Sequence, residues 1–158
     1  LPVLNSFPIR YFLNSVPIRY CPEICVPARV IKSGCAEGEA LVSPEPIGFL
    51  GGVDPDTGAV IEAGHPLAGQ CVAGRVLVFP TGKGSTVGSY TLYRLARNGL
   101  APAAIVNAQA DLVVAVGAII AEIPMVDQVD ISAIHTGDWV QVCGQKVTVR
   151  PALGGEGD

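Results

Sequence analysis

Residues 82–90 (GKGSTVGSY) contain the side chains best suited to chemistry. Lys83 lies between two glycines, and Gly84 is followed directly by the hydroxyl residues Ser85 and Thr86. This run comes after a strand-forming apolar segment at 72–79 and before a segment of helical periodicity at 87–98. At such a junction the free N–H groups and the helix dipole favour an anion. The pattern therefore predicts an anion-binding loop made of Lys83, Gly84, Ser85 and Thr86.

These residues do not form a Walker A nucleotide loop. That motif requires Ser or Thr directly after the lysine and a glycine six positions before it, whereas Lys83 is followed by Gly84 and preceded at that distance by Leu77. Two interpretations of Ser85 stay open: a reactive hydroxyl, or a helix N-cap (Thr86 being the other candidate cap) worth about 1 kcal/mol. Lys83 is harder to explain structurally, because flanking glycines cost entropy unless something approaches closely.

Other polar residues carry weaker signals. Residues 51–58 (GGVDPDTG) resemble a calcium loop only faintly, and Pro55 between the acids favours an Asx-type turn instead. His65 reads as a loop residue and His135 as a surface residue, so no Ser/His/Asp set is evident. The five cysteines lack zinc spacing and read as core or free thiols, with a Cys21–Cys25 disulfide conceivable in a hyperthermophile.

Strands and helices alternate along the chain from Val26 onward. Short strands are expected at 26–31, 40–43, 72–79, 103–107 and 124–126, with a closing hairpin of 137–143 and 146–150 around Gly144. Helices are expected at 87–98 and at 111–122, and the second is apolar on all faces, which predicts burial on several sides. Residues 44–58 are expected to form an ordered binding-type loop. The order indicates a compact α/β domain.

Composition limits the classes of partner. The chain of 158 residues has 10 basic and 14 acidic side chains, a net charge of −4, which argues against nucleic acid and anionic membranes. Its longest apolar run, at 112–121, is shorter than the roughly 20 residues of a membrane span. We expect one domain at 26–151 and a cytoplasmic location. Residues 1–25 form a proline-rich leader containing a direct repeat (LNSFPIRY, LNSVPIRY), and 152–158 a frayed tail.

Several motifs occur in an order that resembles the small subunit of the aconitase X family. They are residues 51–58 (GGVDPDTG), 65–69 (HPLAG), 82–90 (GKGSTVGSY), 101–106 (APAAIV) and 117–124 (GAIIAEIP). The resemblance covers about Arg29 to Arg150. It implies a single swivelling β/β/α domain, like the mobile C-terminal domain of aconitases.

The resemblance also implies a function. In this family a large subunit holds an iron–sulfur cluster, expected to be [4Fe-4S], which acts as a Lewis acid on the departing hydroxyl. The small subunit closes over the substrate and contributes a serine, which maps to Ser85, as proton acceptor. The implied partners are the aconitase-like large subunit and a small anionic substrate bound by Lys83, Gly84 and Thr86, and no metal is expected in this chain.

Two dehydrations occur in the family. One converts (R)-5-phosphomevalonate into trans-anhydromevalonate 5-phosphate in the archaeal mevalonate route, and the other acts on cis-3-hydroxy-L-proline. The residues found in these motifs resemble those of archaeal members and favour the archaeal reaction. A non-enzymatic anion-binding module with the same fold is the remaining alternative, and the intact Lys83-Gly84-Ser85 run argues against it. We also expect Ile47, Phe49 and Leu50 to form an apolar face for the large subunit.

Overall fold

The computed structural model describes residues 23–152, which form one mixed sheet and two helices. The strands are β1 (Ile24–Pro27), β2 (Arg29–Lys32), β3 (Cys35–Val42), β4 (Val76–Phe79), β5 (Ala104–Asn107), β6 (Met125–Asp127), β7 (Trp139–Cys143) and β8 (Lys146–Arg150), and the helices are α1 (Gly88–Arg97) and α2 (Leu112–Ala121). The predicted leader up to residue 22 and the tail from residue 153 lie outside the described residues.

The sheet is half antiparallel and half parallel. Its strand order is β1-β8-β7-β3-β4-β5-β6-β2. The first part of β3 pairs antiparallel with β7, and its last three residues, from Ala40 to Val42, pair parallel with β4. β4, β5 and β6 continue the parallel part, and β2 closes it antiparallel to β6. The long strand β3 therefore joins the two halves.

The two ends of this sheet are neighbours in the sequence. β1 and β2 lie at opposite ends of the strand order, yet only Ala28 separates Pro27 from Arg29. A single residue spans at most about 3.6 Å, so the sheet must curl until its ends meet. The result is a barrel-like sheet, which places the antiparallel half across from the parallel half.

The parallel strands are buried on both faces, and this produces two cores. On β4, Leu77 and Phe79 point into a core shared with the helices, while Val76 and Val78 point into a core shared with the antiparallel strands. Such double burial explains why these strands are continuous apolar runs rather than alternating ones. The layers are sheet, sheet and helix, which confirms the predicted β/β/α fold.

The two helices connect the parallel strands and pack closely together. α1 joins β4 to β5 and α2 joins β5 to β6. A side chain at Gly117 of α2 would lie 2.6 Å from a methyl carbon of Leu92 of α1, so the contact requires glycine. In the described residues, no helix is long and apolar enough to cross a membrane.

Several predicted elements are confirmed and others are wrong. The β7–β8 hairpin turns at Gly144, and β5, β6 and both helices lie within two residues of their predicted bounds. The strand expected at 40–43 is longer than predicted, since β3 begins at Cys35 and its Gly38 pairs with Val140. The expectation that α2 is buried on several sides is also wrong, since one of its faces is exposed.

Candidate functional site

The predicted anion-binding loop leaves the sheet at the carboxyl end of β4 and leads into α1. At this edge the carbonyl of Pro80 accepts hydrogen bonds from the N–H groups of Ala108 and Gln109, at 3.1 and 3.0 Å. The chain after β4 is thus tied to the chain after β5. Ligands of open α/β sheets bind at the carboxyl ends of the parallel strands, so the loop stands where a site is expected.

Neighbouring segments hold the loop from two sides. Ile47 donates its N–H to the carbonyl of Thr81 at 3.2 Å, and its own carbonyl accepts from the N–H of Lys83 at 3.1 Å. Gly82 lies against Asp111, the N-cap of α2, so closely that a Cβ there would collide with the Asp111 carboxylate. The segment at 81–83 is therefore fixed between the 44–58 loop and the start of α2.

Lys83 is exposed at this edge and is paired with a carboxylate that the sequence did not single out. Its Nζ donates to Oε2 of Glu62 at 2.8 Å. This hydrogen bond holds the pKa of the Glu62 carboxyl below its usual range. Glu62 precedes Lys83 by 21 residues, in an irregular stretch with no periodic pattern. A substrate anion at Lys83 would have to share the ammonium with Glu62 or displace it.

Ser85 has the hydrogen bonds of a cap on the turn that leads into α1. The regular helix begins at Gly88, but the Ser85 carbonyl accepts the N–H of Gly88 at 2.9 Å and its Oγ accepts the N–H of Val87 at 3.1 Å. A capping serine accepts from the second or third N–H after it, so the cap interpretation stands beside that of a reactive hydroxyl. Gly84 before it adopts a φ of +92°. This φ lies in the left-handed region that glycine tolerates best. Thr86, the other predicted cap, uses its carbonyl to accept from the Ser89 Oγ at 3.0 Å.

Three consecutive backbone donors are available beside the serine hydroxyl. The N–H groups of Gly84, Ser85 and Thr86 donate to no partner within residues 23–152. All three residues are exposed, as is Lys83. Successive unpaired N–H groups before a helix form an anion-binding concavity, to which the helix dipole adds positive potential. The structure therefore brings together the four residues predicted from the sequence.

The other polar candidates have structural roles. Asp54 Oδ1 accepts the N–H of Asp56 at 2.9 Å, which is the predicted Asx turn. His65 is buried: one ring nitrogen lies 3.0 Å from the carbonyl of Pro46, and the other accepts the N–H of Leu67. It thereby joins two parts of the irregular stretch before β4. The side chain of His135 is 79% exposed, as predicted for a surface residue.

The cysteines differ from prediction. Cys35 and Cys143 lie opposite each other on β3 and β7 and form a disulfide, although all five cysteines were expected as core or free thiols. Within residues 23–152, Cys25 and Cys71 form no disulfide, and both are exposed. The conceivable Cys21–Cys25 pair involves position 21, which lies outside the described residues. The pairing depends on strand register, and cysteines separated by 108 residues give no local sign of it.

The apolar face predicted in the 44–58 loop is wrong for two of its three residues. Ile47 and Phe49 are each only 2% exposed, and the Phe49 ring packs edge-on against Phe79 with centroids 6.1 Å apart. They belong to the core that this loop shares with β4, β5 and the two helices. Leu50 alone is exposed, at 50%.

A buried carboxylate, paired with a half-exposed arginine, supports the start of α2. Arg29 of β2 binds Asp127 of β6 with two hydrogen bonds of 2.8 Å, and the same carboxylate accepts the N–H of Ala110 at 2.9 Å. The Asp127 side chain is fully buried. Burial opposes its ionised form, but the hydrogen bonds from Arg29 and Ala110 outweigh it and hold the pKa of Asp127 below its usual range.

The β/β/α architecture is that of a swivelling domain of the kind found in aconitases. The model of the aconitase X swivel domain matches residues 26–150. The chain therefore belongs to the aconitase X swivel domain family. This confirms the resemblance drawn from the motifs.

Curated relatives and a solved structure agree with this assignment. The phosphomevalonate dehydratase small subunit of Methanosarcina acetivorans is 57% identical over 121 residues, which cover 75% of this chain and 84% of that protein. The protein of the same name from Thermococcus kodakarensis is 56% identical over 114 residues, covering 72% and 86%. The crystal structure of Thermococcus kodakaraensis aconitase X in its holo form matches with a TM-score of 0.79 and 50% identity, covering 81% of this chain and 99% of that one.

Proposed function

We propose that this chain is the small subunit of a phosphomevalonate dehydratase and that Ser85 accepts the proton removed from carbon. The assignment of Ser85 as proton acceptor rests on its exposed hydroxyl, which lies beside unpaired backbone N–H groups before α1. The assignment to this dehydratase is supported by relatives of that name, which are 56–57% identical over 84–86% of their own length. Because they carry that name, the alternative substrate cis-3-hydroxy-L-proline is not favoured.

Ser85 has surroundings that suit an anionic oxygen. Loss of water from phosphomevalonate breaks a C–H bond, and its electron pair becomes the second bond of the alkene as the hydroxyl leaves. A serine oxygen can accept the proton only as an alkoxide, which needs positive potential. The Val87 N–H at 3.1 Å, the neighbouring unpaired N–H groups and the dipole of α1 supply such potential.

The other three residues of the loop suit the substrate's negative charge. Lys83 supplies a full charge, the backbone at Gly84 curves so that successive N–H groups face outward, and Thr86 adds an exposed N–H and hydroxyl. We assign these residues to binding an anionic group of the substrate. Binding at Lys83 competes with Glu62, which lies 2.8 Å from its Nζ.

The described residues of this chain do not fit an iron–sulfur cluster. They contain no group of three or more His, Cys, Asp or Glu side chains that could hold a metal ion. Cys35 and Cys143 are bonded to each other, and Cys25 and Cys71 stand apart on different strands or loops. We accordingly assign a [4Fe-4S] cluster to the large subunit.

Reconstitution tests the proposed function. The purified chain is assayed for loss of water from (R)-5-phosphomevalonate, alone and after mixing with the aconitase-like large subunit of the same source. We expect no turnover and no iron–sulfur absorbance from the isolated chain, and turnover from the mixture. Turnover by the isolated chain, or a mixture that dehydrates cis-3-hydroxy-L-proline in preference to phosphomevalonate, overturns the proposal.

A further inference from the structure

The outer face of α2 carries a continuous apolar stripe. Its four residues are exposed by between 40% and 77%, and they are Leu112, Val116, Ile119 and Ile120. Their spacing of four, seven and eight positions from the first residue places them on one side of the helix. Residues 112–121 include no polar side chain at all, so the stripe has no charge within it. We call these four residues the α2 stripe.

The neighbouring helix α1 differs from α2 in that its outer side carries charged residues. The outer side of α1 carries Arg94 and Arg97, and Arg94 lies 3.5 Å from the Asp56 carboxylate. The other side of α2 is buried, since Val114 and Ala118 belong to the core and Gly117 packs against Leu92 of α1. Within residues 23–152 the α2 stripe keeps 40–77% of each side chain exposed. Exposed apolar patches of this kind on one side of a domain mark surfaces that bind another protein.

The α2 stripe begins at the candidate site. Leu112 directly follows Asp111, against which Gly82 packs. Two further exposed apolar residues, Leu50 and Val87, lie at the same edge, where Gly88 packs against Leu50 and Val113. The apolar surface therefore extends from the Ser85 loop along the outer side of α2. A subunit that brings a substrate to Ser85 has to meet this edge of the domain.

We propose that the α2 stripe, with Leu50 and Val87 at its site end, is the surface on which the large subunit docks. This inference rests on the proposed function, which supplies the large subunit as the partner. The matching surface on that subunit is apolar, because the stripe offers no charge to an ion pair. The affinity between the two subunits is accordingly insensitive to salt.

Binding measurements with the full chain and its large subunit test this inference. The double variant Val116→Asp/Ile120→Asp places two charges in the stripe and is expected to raise the Kd by about 100-fold or more, the size of a central interface loss. Both side chains are exposed in the isolated chain, so its thermal midpoint stays within a few degrees. Ile120→Ser is a milder second variant with the same direction of change. The matched control is Arg97→Asp on the outer side of α1, which leaves the Kd unchanged.

The outcomes separate this inference from the proposed function. If the wild-type chain binds the large subunit and the stripe variants bind it equally well, the docking surface is wrong and the proposed function stands. If the wild-type chain does not bind the large subunit, both are wrong. A wild-type chain that forms a dimer of its own, broken by the stripe variants while subunit binding is unchanged, assigns the stripe to a second copy and overturns the inference.

Discussion

Lys83 and Glu62, which are 21 residues apart, meet as an ion pair of 2.8 Å at the edge of the predicted anion-binding loop. Both side chains remain partly exposed, at 44% and 33%. The pair neutralises the one lysine of the loop. In the proposed binding mode, the negative charge of the substrate competes with Glu62 for Lys83.

Substituting Glu62 tests this competition. Glu62→Gln keeps the shape of the side chain and removes its charge, so we expect the KM for phosphomevalonate to fall by about two- to fivefold, the size of a partly exposed ion pair. Lys83→Met should raise the KM by about tenfold or more, because a charged hydrogen-bond donor is lost. Steady-state kinetics of the reconstituted enzyme measure both. A Glu62→Gln enzyme with a raised KM would show that Glu62 positions Lys83 instead of competing for it.

The Cys35–Cys143 disulfide predicts a redox-dependent stability. It links β3 to β7 across a sequence separation of 108 residues, so breaking it frees a long closed loop. Replacing both cysteines with serine should cost about 2–5 kcal/mol of unfolding free energy. Urea titration with and without a reducing agent measures this, and the reducing agent should affect only the wild type.

Two controls accompany the disulfide experiment. Cys25→Ser and Cys71→Ser alter exposed cysteines and should each change the unfolding free energy by no more than about 0.5 kcal/mol. Alkylation of the unreduced native chain followed by mass analysis should modify Cys71 and leave Cys35 and Cys143 untouched. Modification of the latter two without reduction contradicts the pairing.

The buried carboxylate of Asp127 predicts a loss of stability in acid. The pKa of Asp127 in the folded chain lies below its value in an unfolded chain, which is about 3.9. The stability that this carboxylate contributes is therefore fully present at pH values above the unfolded pKa. That contribution disappears as the pH falls through the folded pKa. Asp127→Asn should lower the thermal midpoint at neutral pH by about 5 °C or more and should make the midpoint less sensitive to acid.

A midpoint series from neutral pH to pH about 3 checks the Asp127 prediction. The control is Asp56→Asn, whose carboxylate is 72% exposed and pairs with Arg94 at 3.5 Å, and it should leave both the midpoint and its pH dependence nearly unchanged. If Asp127→Asn follows the same acid profile as the wild type, the carboxylate is not the group responsible.

Local sequence patterns predicted the elements but not how they contact one another. The apolar runs of β4 and β5 and the turn at Gly144 are visible because burial on both faces and turn chemistry leave local signatures. The position of Ser85 before α1 was predicted for the same reason. Its Oγ accepts the Val87 N–H, as expected of a capping serine, although the regular helix begins only at Gly88.

Long-range contacts explain what the sequence missed. Phe49 points inward because the irregular stretch covers part of the sheet, and no periodic pattern describes such a stretch. Glu62 and Cys143 find their partners through tertiary packing alone. α2 is apolar on every side, which predicts burial without saying what covers each face. In the described chain only its inner side is covered.

Ser85 and Ser89 provide a paired test of the catalytic assignment. Ser85 lies three residues before α1 and Ser89 is the second residue of α1. The Ser85 Oγ accepts from the Val87 N–H, while the Ser89 Oγ donates to the Thr86 carbonyl. If Ser85 accepts the substrate proton, Ser85→Ala should lower the single-turnover rate by on the order of 10²–10⁴, the usual contribution of a positioned acid or base. Its thermal midpoint should change little, because one exposed hydrogen bond is worth about 1 kcal/mol.

Ser89→Ala removes a hydroxyl from the same segment and should leave the rate nearly intact. Both variants are measured in the reconstituted complex, and a Ser85→Ala enzyme within a few-fold of wild type, or a Ser89→Ala enzyme that is the slower of the two, places the proton acceptor elsewhere.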